Sequence, residues 1–252
     1  PGPLAGARIW VPRPQGRAGG LCDALREAGA RPFATPLIEC VNLSPSPIAQ
    51  WLTGLKPEPG EFLAFTSANG VRAFGAGLLA NADARSLSGL RIAAVGPATA
   101  AALESYGLRA DVSIRTGGGA GLAAALVSAG AQKVTAFLAR VPRPELGAGL
   151  AAAGVSFESV AVYETRRATL PPGQVEVLVR AGLDLVVLTS PSIADAYLAQ
   201  TASEPGLSAP VVAIGLTTAR HLQDRGLAPV AVAASPAAAD ILQAVHSALG
   251  AA

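Results

Sequence analysis

The residues best placed to do chemistry are hydroxyls where a strand gives way to a helix. In LAFTSANGVRAF (63–74) an apolar run reads as a buried strand, and the residues from Ala68 onward read as a helix. Between them lie Thr66, Ser67, Ala68, Asn69 and Gly70. VVLTSPSIADAYL (186–198) nearly repeats the arrangement half a chain later, with Thr189, Ser190 and Ser192. A helix start leaves backbone N–H groups unpaired and carries a partial positive charge, so it attracts anions. Small residues let an anion reach the backbone. Ser and Thr hydroxyls add donors, or simply cap the helix. One such turn is an ordinary cap; its repetition is what points to an anion site.

The machinery of several other chemistries is missing. No GxxxxGK[ST] loop occurs, and no GxGxxG follows a strand. TSANG and TSPS lack the GxSxG elbow of a nucleophilic serine. TGGGAG (116–121) has no lysine nearby and reads as a loop and helix start. There is no HExxH, no close Cys/His cluster and no evident carboxylate pair. His221 and His246 fall in helical stretches and read as packed or surface residues.

Composition narrows the class. Of 252 residues, 51% are apolar, and the formal charge of +2 is too mild for a nucleic-acid or membrane-surface partner. Lys56 and Lys133 are the only lysines; the other basic residues are arginines, which suit bidentate binding of carboxylate or phosphate. No apolar run approaches the roughly 18–20 residues of a membrane helix. The opening PGPLAGARIW has no basic segment followed by an apolar one, so no signal peptide is expected. Cys22 and Cys40 form no CxxC and fit a reducing, cytoplasmic setting.

Short β-branched runs alternate with Ala/Leu-rich helical stretches. Strands are expected at 8–11, 31–35, 62–66, 91–95, 109–114, 134–139, 155–162, 184–189, 211–214 and 229–233. Helices are expected at 16–28, 45–55, 68–80, 97–106, 119–129, 143–153, 171–181, 191–200, 216–225 and 236–249. This is the pattern of parallel sheets covered by helices on both faces.

The chain also repeats itself. Residues 62–114 and 184–233 share strand, Thr-Ser turn, helix, and then IAAVGPATAAALESYGL against VVAIGLTTARHLQDRGL. Thr99 answers Thr218 and Gly107 answers Gly226. Residues 10–33 and 138–157 echo each other through Arg13-Pro14 and Arg143-Pro144. Residues 45–165 then hold five strands and 171–252 only three, with the missing two at the N-terminus. The expected division is 1–36 with 166–252 as one domain, discontinuous in sequence, and 42–162 as the other, with crossovers at 37–41 and 163–165. The competing division is two sequential halves split near 125. Tyr163 ends the last strand of the second domain. It either packs against the crossover or turns its hydroxyl into a cleft as a donor.

In that order and spacing, FTSANGVRAF, IAAVGPATAAALESYGL, VAVYET, VLTSPS and AIGLTTARHLQDRGL resemble the uroporphyrinogen-III synthase family. WVPRPQGRAGGLCDALREAGA and TPLIE resemble its opening element and first crossover. The resemblance implies an α/β fold of two flavodoxin-like parallel-sheet domains joined by a two-stranded linker. It implies an enzyme without a cofactor that closes hydroxymethylbilane, a linear tetrapyrrole with eight carboxylates. Ring D is inverted, giving uroporphyrinogen III and water. Thr66, Ser67, Asn69, Thr99, Ser190, Ser192, Thr217 and Thr218 match the family's substrate-binding turns, with Arg13 and Arg140 placed to meet carboxylates. Tyr163 resembles the tyrosine proposed to help the hydroxyl depart. A monomer is implied, with a transient handover from hydroxymethylbilane synthase. Two features depart from the family: Gly215-Leu216 stands where Gly-Pro is common, and LARVPRPEL (138–146) replaces a Leu-Pro-Arg-Gly style loop.

Two other readings use the same residues. One is a non-catalytic module that binds an anion or nucleotide; the other is a two-domain solute-binding protein.

Overall fold

A computed structural model of the chain describes residues 2–14 and 19–250. Its strands are β1 (Arg8–Trp10), β2 (Arg31–Phe33), β3 (Ile38–Asn42), β4 (Glu61–Phe65), β5 (Arg91–Val95), β6 (Val112–Ile114), β7 (Lys133–Ala139), β8 (Ser156–Arg167), β9 (Leu185–Leu188), β10 (Val211–Ala213) and β11 (Ala231–Val232). The helices are α1 (Gly19–Glu27), α2 (Ser46–Thr53), α3 (Ala68–Asn81), α4 (Pro97–Glu104), α5 (Gly118–Ser128), α6 (Glu145–Ala152), α7 (Pro172–Ala181), α8 (Pro191–Ser203), α9 (Leu216–Gln223) and α10 (Ala238–Gly250). Residues 16–18 of the helix expected at 16–28 lie outside the described residues.

The described residues of Pro1–Glu39 and Arg166–Ala252 form one compact unit, and Cys40–Thr165 another. The first unit has a parallel sheet in the order β2-β1-β9-β10-β11. This is the flavodoxin-like order, in which the third strand of the chain sits beside the first. The second has β8-β7-β4-β5-β6, again parallel. If β7 and β8 take the places of β1 and β2, and β4, β5 and β6 those of β9, β10 and β11, the orders are identical. The second unit is therefore the first with its strands permuted along the chain. That is the physical content of the repeat, including the pairing of 10–33 with 138–157.

β3 lies beyond β8 at the outer edge of the second sheet. It was not among the expected strands. Leu43 donates its N–H to Val162 O at 2.9 Å and Ala168 donates to Leu37 O at 2.9 Å, so β3 and β8 run antiparallel as the two-stranded linker. β8 accordingly continues beyond the strand run expected at 155–162, through the crossover at 163–165, as far as Arg167. The outer strands β6 and β11 are shorter than their sequence runs. Each has a neighbour on one side only, and Pro229 has no N–H to offer a ladder.

Alternation of side chains splits each sheet into two cores. In the first unit Ile9, Val11, Val187 and Val212 face α1 and α10, while Trp10, Val186, Leu188 and Val211 face Ile193, Tyr197 and Leu222 of α8 and α9. In the second, Leu63, Phe65 and Phe137 pack under α2, α3 and α4, and Phe62, Ala64 and Val134 under α5 and α6. β4 is buried throughout, as a central parallel strand must be. Its first residue, Glu61, is a buried carboxylate compensated by Lys133 Nζ at 2.7 Å.

The first unit depends on joining segments far apart in the chain. Arg8 opens β1 and Asp184 stands just before β9. The Arg8 backbone N–H donates to Asp184 Oδ2 at 2.8 Å, Nε to Oδ2 at 2.9 Å and Nη2 to Oδ1 at 2.6 Å. Nη1 donates to Ala181 O at 2.6 Å. The Arg8 hydrogen bonds hold the Asp184 carboxyl below the usual carboxylate range. A carboxylate lowered in this way stabilises the fold above the ordinary Asp value of about 3.9, and the contribution fades as pH falls through the lowered value. Asp184→Asn should therefore lower the urea midpoint at pH 7. The gap from wild type should persist down to about pH 4 and narrow below it. A pH-independent gap in unfolding midpoints would contradict this.

Candidate functional site

In an open parallel sheet, ligands bind beyond the carboxyl ends of the strands, where neighbouring strands send their helices to opposite faces. In the first unit that point lies between β1 and β9, whose following helices α1 and α8 pack in different cores. In the second it lies between β7 and β4, followed by α6 and α3 on different faces. Arg13 follows β1, Ser190 follows β9, Arg140 follows β7 and Ser67 follows β4. Each switch point thus has a hydroxyl-capped helix start and an arginine beside it, although the counterpart of Arg13 in the repeat is Arg143.

The two caps are built alike. Ser67 is extended (φ −156, ψ 151) and its Oγ accepts the Gly70 N–H at 3.2 Å. Ser190 is extended (φ −166, ψ 160) and its Oγ accepts the Ile193 N–H at 3.3 Å, with Ser192 Oγ 3.1 Å away. Such a cap contributes about 1 kcal/mol. Gly70 is there for space: a Cβ on it would lie 2.6 Å from Phe137 O of β7. The first turn of α3 rests directly on the sheet because that position has no side chain.

Tyr163 meets this turn through a register shift. Leu138 of β7 pairs with Ala161, but Ala139 pairs with Tyr163, so Val162 is an extra residue in β8. Val160 and Val162 face the α3 side. Simple alternation would send Tyr163 to the other face, yet it packs against the same core. The bulge turns it there, and its Oη lies 3.1 Å from Ser67 Oγ.

Around this pair the polar groups are engaged. Asn69 Nδ2 donates to Cys40 Sγ at 2.8 Å, and its Oδ1 accepts from Arg72 Nη1 at 3.0 Å. Arg140 donates its backbone N–H to Tyr163 O at 2.8 Å, and its exposed guanidinium pairs with Glu164 at 3.2 Å. Thr66 is half-buried between β4 and the cap. The bulge, the Gly70 contact and the thiol of Cys40 were not foreseen. The adjacent apolar pair Val162-Tyr163, which breaks alternation, was the available signal for the bulge.

The remaining expected residues divide by exposure. Ser192 and Thr217 are exposed. Thr99 and Thr218 are each 3% exposed, so their hydroxyls belong to the helix packing, and these turns present mainly backbone and neighbouring residues. Gly96 takes φ 81, which favours glycine, whereas Gly215 is extended. α9 starts at Leu216 without a proline. His221 lies deeper along α9, with Nε2 2.9 Å from Asp195 Oδ1 of α8 and Arg225 Nη1 3.3 Å from its Nδ1. It packs rather than lining a turn. No cluster of His, Cys, Asp and Glu among the described residues could hold a metal ion. An open pocket of about 670 Å³, lined by Trp51, Lys56, Lys133 and Glu158, lies by the amino-terminal starts of β7 and β8, away from these turns.

The strand orders and the paired helix starts define a two-unit, doubly wound α/β protein. The chain belongs to the uroporphyrinogen-III synthase family, whose model, described as Uroporphyrinogen-III synthase HemD, matches residues 20–243. A curated relative, the porphyrin biosynthesis protein HemD of Ruminiclostridium josui, is 29% identical over 223 residues. That match takes in 86% of this chain and 44% of the relative, so the chain spans less than half of that protein. Among solved structures, uroporphyrinogen-III synthetase of Helicobacter pylori aligns over 96% of this chain and 99% of its own, with TM-score 0.63 and 21% identity. A mutant uroporphyrinogen III synthase of Thermus thermophilus aligns over 98% and 100%, with TM-score 0.59 and 20% identity. These two share the fold.

Gly70→Ala tests how closely the site turn is seated. Its Cβ must displace α3 from Phe137 O, which should cost about 1–3 kcal/mol in urea denaturation. Stability equal to wild type would show that the turn has room to spare.

Proposed function

We propose that the chain cyclises hydroxymethylbilane with inversion of ring D, releasing uroporphyrinogen III and water, on the turns at the carboxyl ends of its strands. The observation that carries this reading is the pair of hydroxyl-capped helix starts at the two switch points, one of them joined to Tyr163, in a chain of this family. A substrate with eight carboxylates needs many donors spread over a surface. Backbone N–H groups at helix starts supply them without a dense positive cluster, which fits a net charge of only +2. Arg13 and Arg140 add cationic contacts, Ser190, Ser192 and Thr217 add donors, and Thr66, Asn69, Thr99 and Thr218 shape the turns.

The chemical demand is small. A hydroxyl must leave, and the flexible bilane must be held so that the terminal ring closes inverted. Holding reacting groups in one geometry can by itself lower a barrier by several kcal/mol. Tyr163 gives its phenolic proton to the departing hydroxyl. Its half-buried ring leaves Oη beside the start of α3, with Tyr163 paired to Ala139 at the end of β7. The chain works as a cytoplasmic monomer that receives its short-lived substrate from hydroxymethylbilane synthase.

The test is to supply freshly prepared hydroxymethylbilane and separate the oxidised products by chromatography. Isomer III should dominate; isomer I alone, at the uncatalysed rate, would defeat the proposal. Tyr163→Phe should slow isomer III formation about ten-fold or more. An unchanged rate would remove Tyr163 from the mechanism.

A further inference from the structure

We infer that Ser67 is the positioning residue for the Tyr163 phenol: the hydroxyl that caps α3 also sets where the phenolic proton points. The inference rests on the proposed role of Tyr163 as proton donor, and the geometry beneath it is independent of that role. Three features bring the two oxygens together. The extended backbone of Ser67 directs Oγ at the Gly70 N–H, 3.2 Å away. Gly70 lets this turn settle against Phe137 O of β7. The extra residue Val162 rotates Tyr163 from the opposite face of β8 onto the α3 side, 3.1 Å from Ser67 Oγ.

Either oxygen could donate across this contact, and the proposed role of Tyr163 selects the direction. A serine hydroxyl has one proton and two acceptor sites. Ser67 spends one acceptor site on Gly70 N–H. If Tyr163 gave its proton to Ser67, the phenol would have none to offer a substrate. When Ser67 donates to Tyr163 Oη, the order runs Gly70 N–H to Ser67 O–H to Tyr163 O–H. The last proton then points away from α3, and each bond in such a chain polarises the next. In the reaction, the carbon–oxygen bond of the bilane breaks with its electron pair on oxygen. That oxygen takes the Tyr163 proton and leaves as water. The phenolate keeps the Ser67 hydrogen bond until it recovers the proton shed by the terminal pyrrole carbon on ring closure. The sum is bilane to macrocycle plus water.

Capping and positioning separate by choice of substitution. Ser67→Ala removes both the hydroxyl and the cap, Ser67→Gly removes the hydroxyl but keeps most of the cap, and Ser67→Thr keeps both. With hydroxymethylbilane, Ser67→Ala and Ser67→Gly should each lower kcat roughly three- to ten-fold, as for one lost hydrogen bond, with KM little changed. Ser67→Thr should restore kcat. In the Tyr163→Phe background neither change should lower kcat further, because Ser67 acts through the phenol. Wild-type kcat in Ser67→Gly, or losses that multiply with Tyr163→Phe, would overturn the inference and leave the proposed function standing. A wild-type rate in Tyr163→Phe would overturn it together with the role of Tyr163.

Discussion

Parallel strands put all their carboxyl ends on one edge of a sheet, and the rest of this molecule follows from that constraint. A parallel connection must cross back over the sheet, here by a helix, so each strand end is also the approach to a helix start. Each start brings unpaired N–H groups and positive potential to the same edge. Two such sheets of identical strand order give the chain two edges rich in donors. A donor-rich edge is a by-product of this architecture. At the switch points the side chains beside these starts are Ser67 and Ser190, which cap, and Arg13 and Arg140, which follow neighbouring strands.

Much of this was legible before any coordinates. Ten of the eleven strands among the described residues lie within or across expected runs, because buried parallel strands are unbroken apolar segments. The ten helices of the described residues likewise fall where the Ala/Leu stretches suggested. The repeat was visible because small residues at the turns are constrained by geometry: Gly107 and Gly226 take φ 72 and 79 at equivalent positions. β3 was hidden because IECVN is short and mixed, and becomes a strand only by pairing with β8.

The site was less legible, for a reason particular to its centre. Sequence shows which residues are near a turn, whereas the face a strand residue presents depends on register. One extra residue at Val162 reverses the face of Tyr163. In the same way, Thr99 and Thr218 have the right type and spacing for ligands, but one helical turn carries them into the packing. Gly70 was read only as one of the small residues of its turn, and the structure makes it a spacer of one methyl group against a carbonyl.

The permuted strand order has a consequence for how the chain is made. The second unit is contiguous and has its complete strand set once Thr165 has emerged from the ribosome. β1 and β2 are synthesised first, but β1 must wait for β9, and Arg8 for Asp184. At ordinary elongation rates the interval from Glu39 to Leu188, the end of β9, is roughly 7–30 s. Through that time an apolar βαβ element, with Ile9, Trp10 and Val11 destined for full burial, hangs from an already folded neighbour. Of the segments of the first unit, the one made earliest is therefore among the last to find its place, and it is the part of that unit most exposed to chaperone capture.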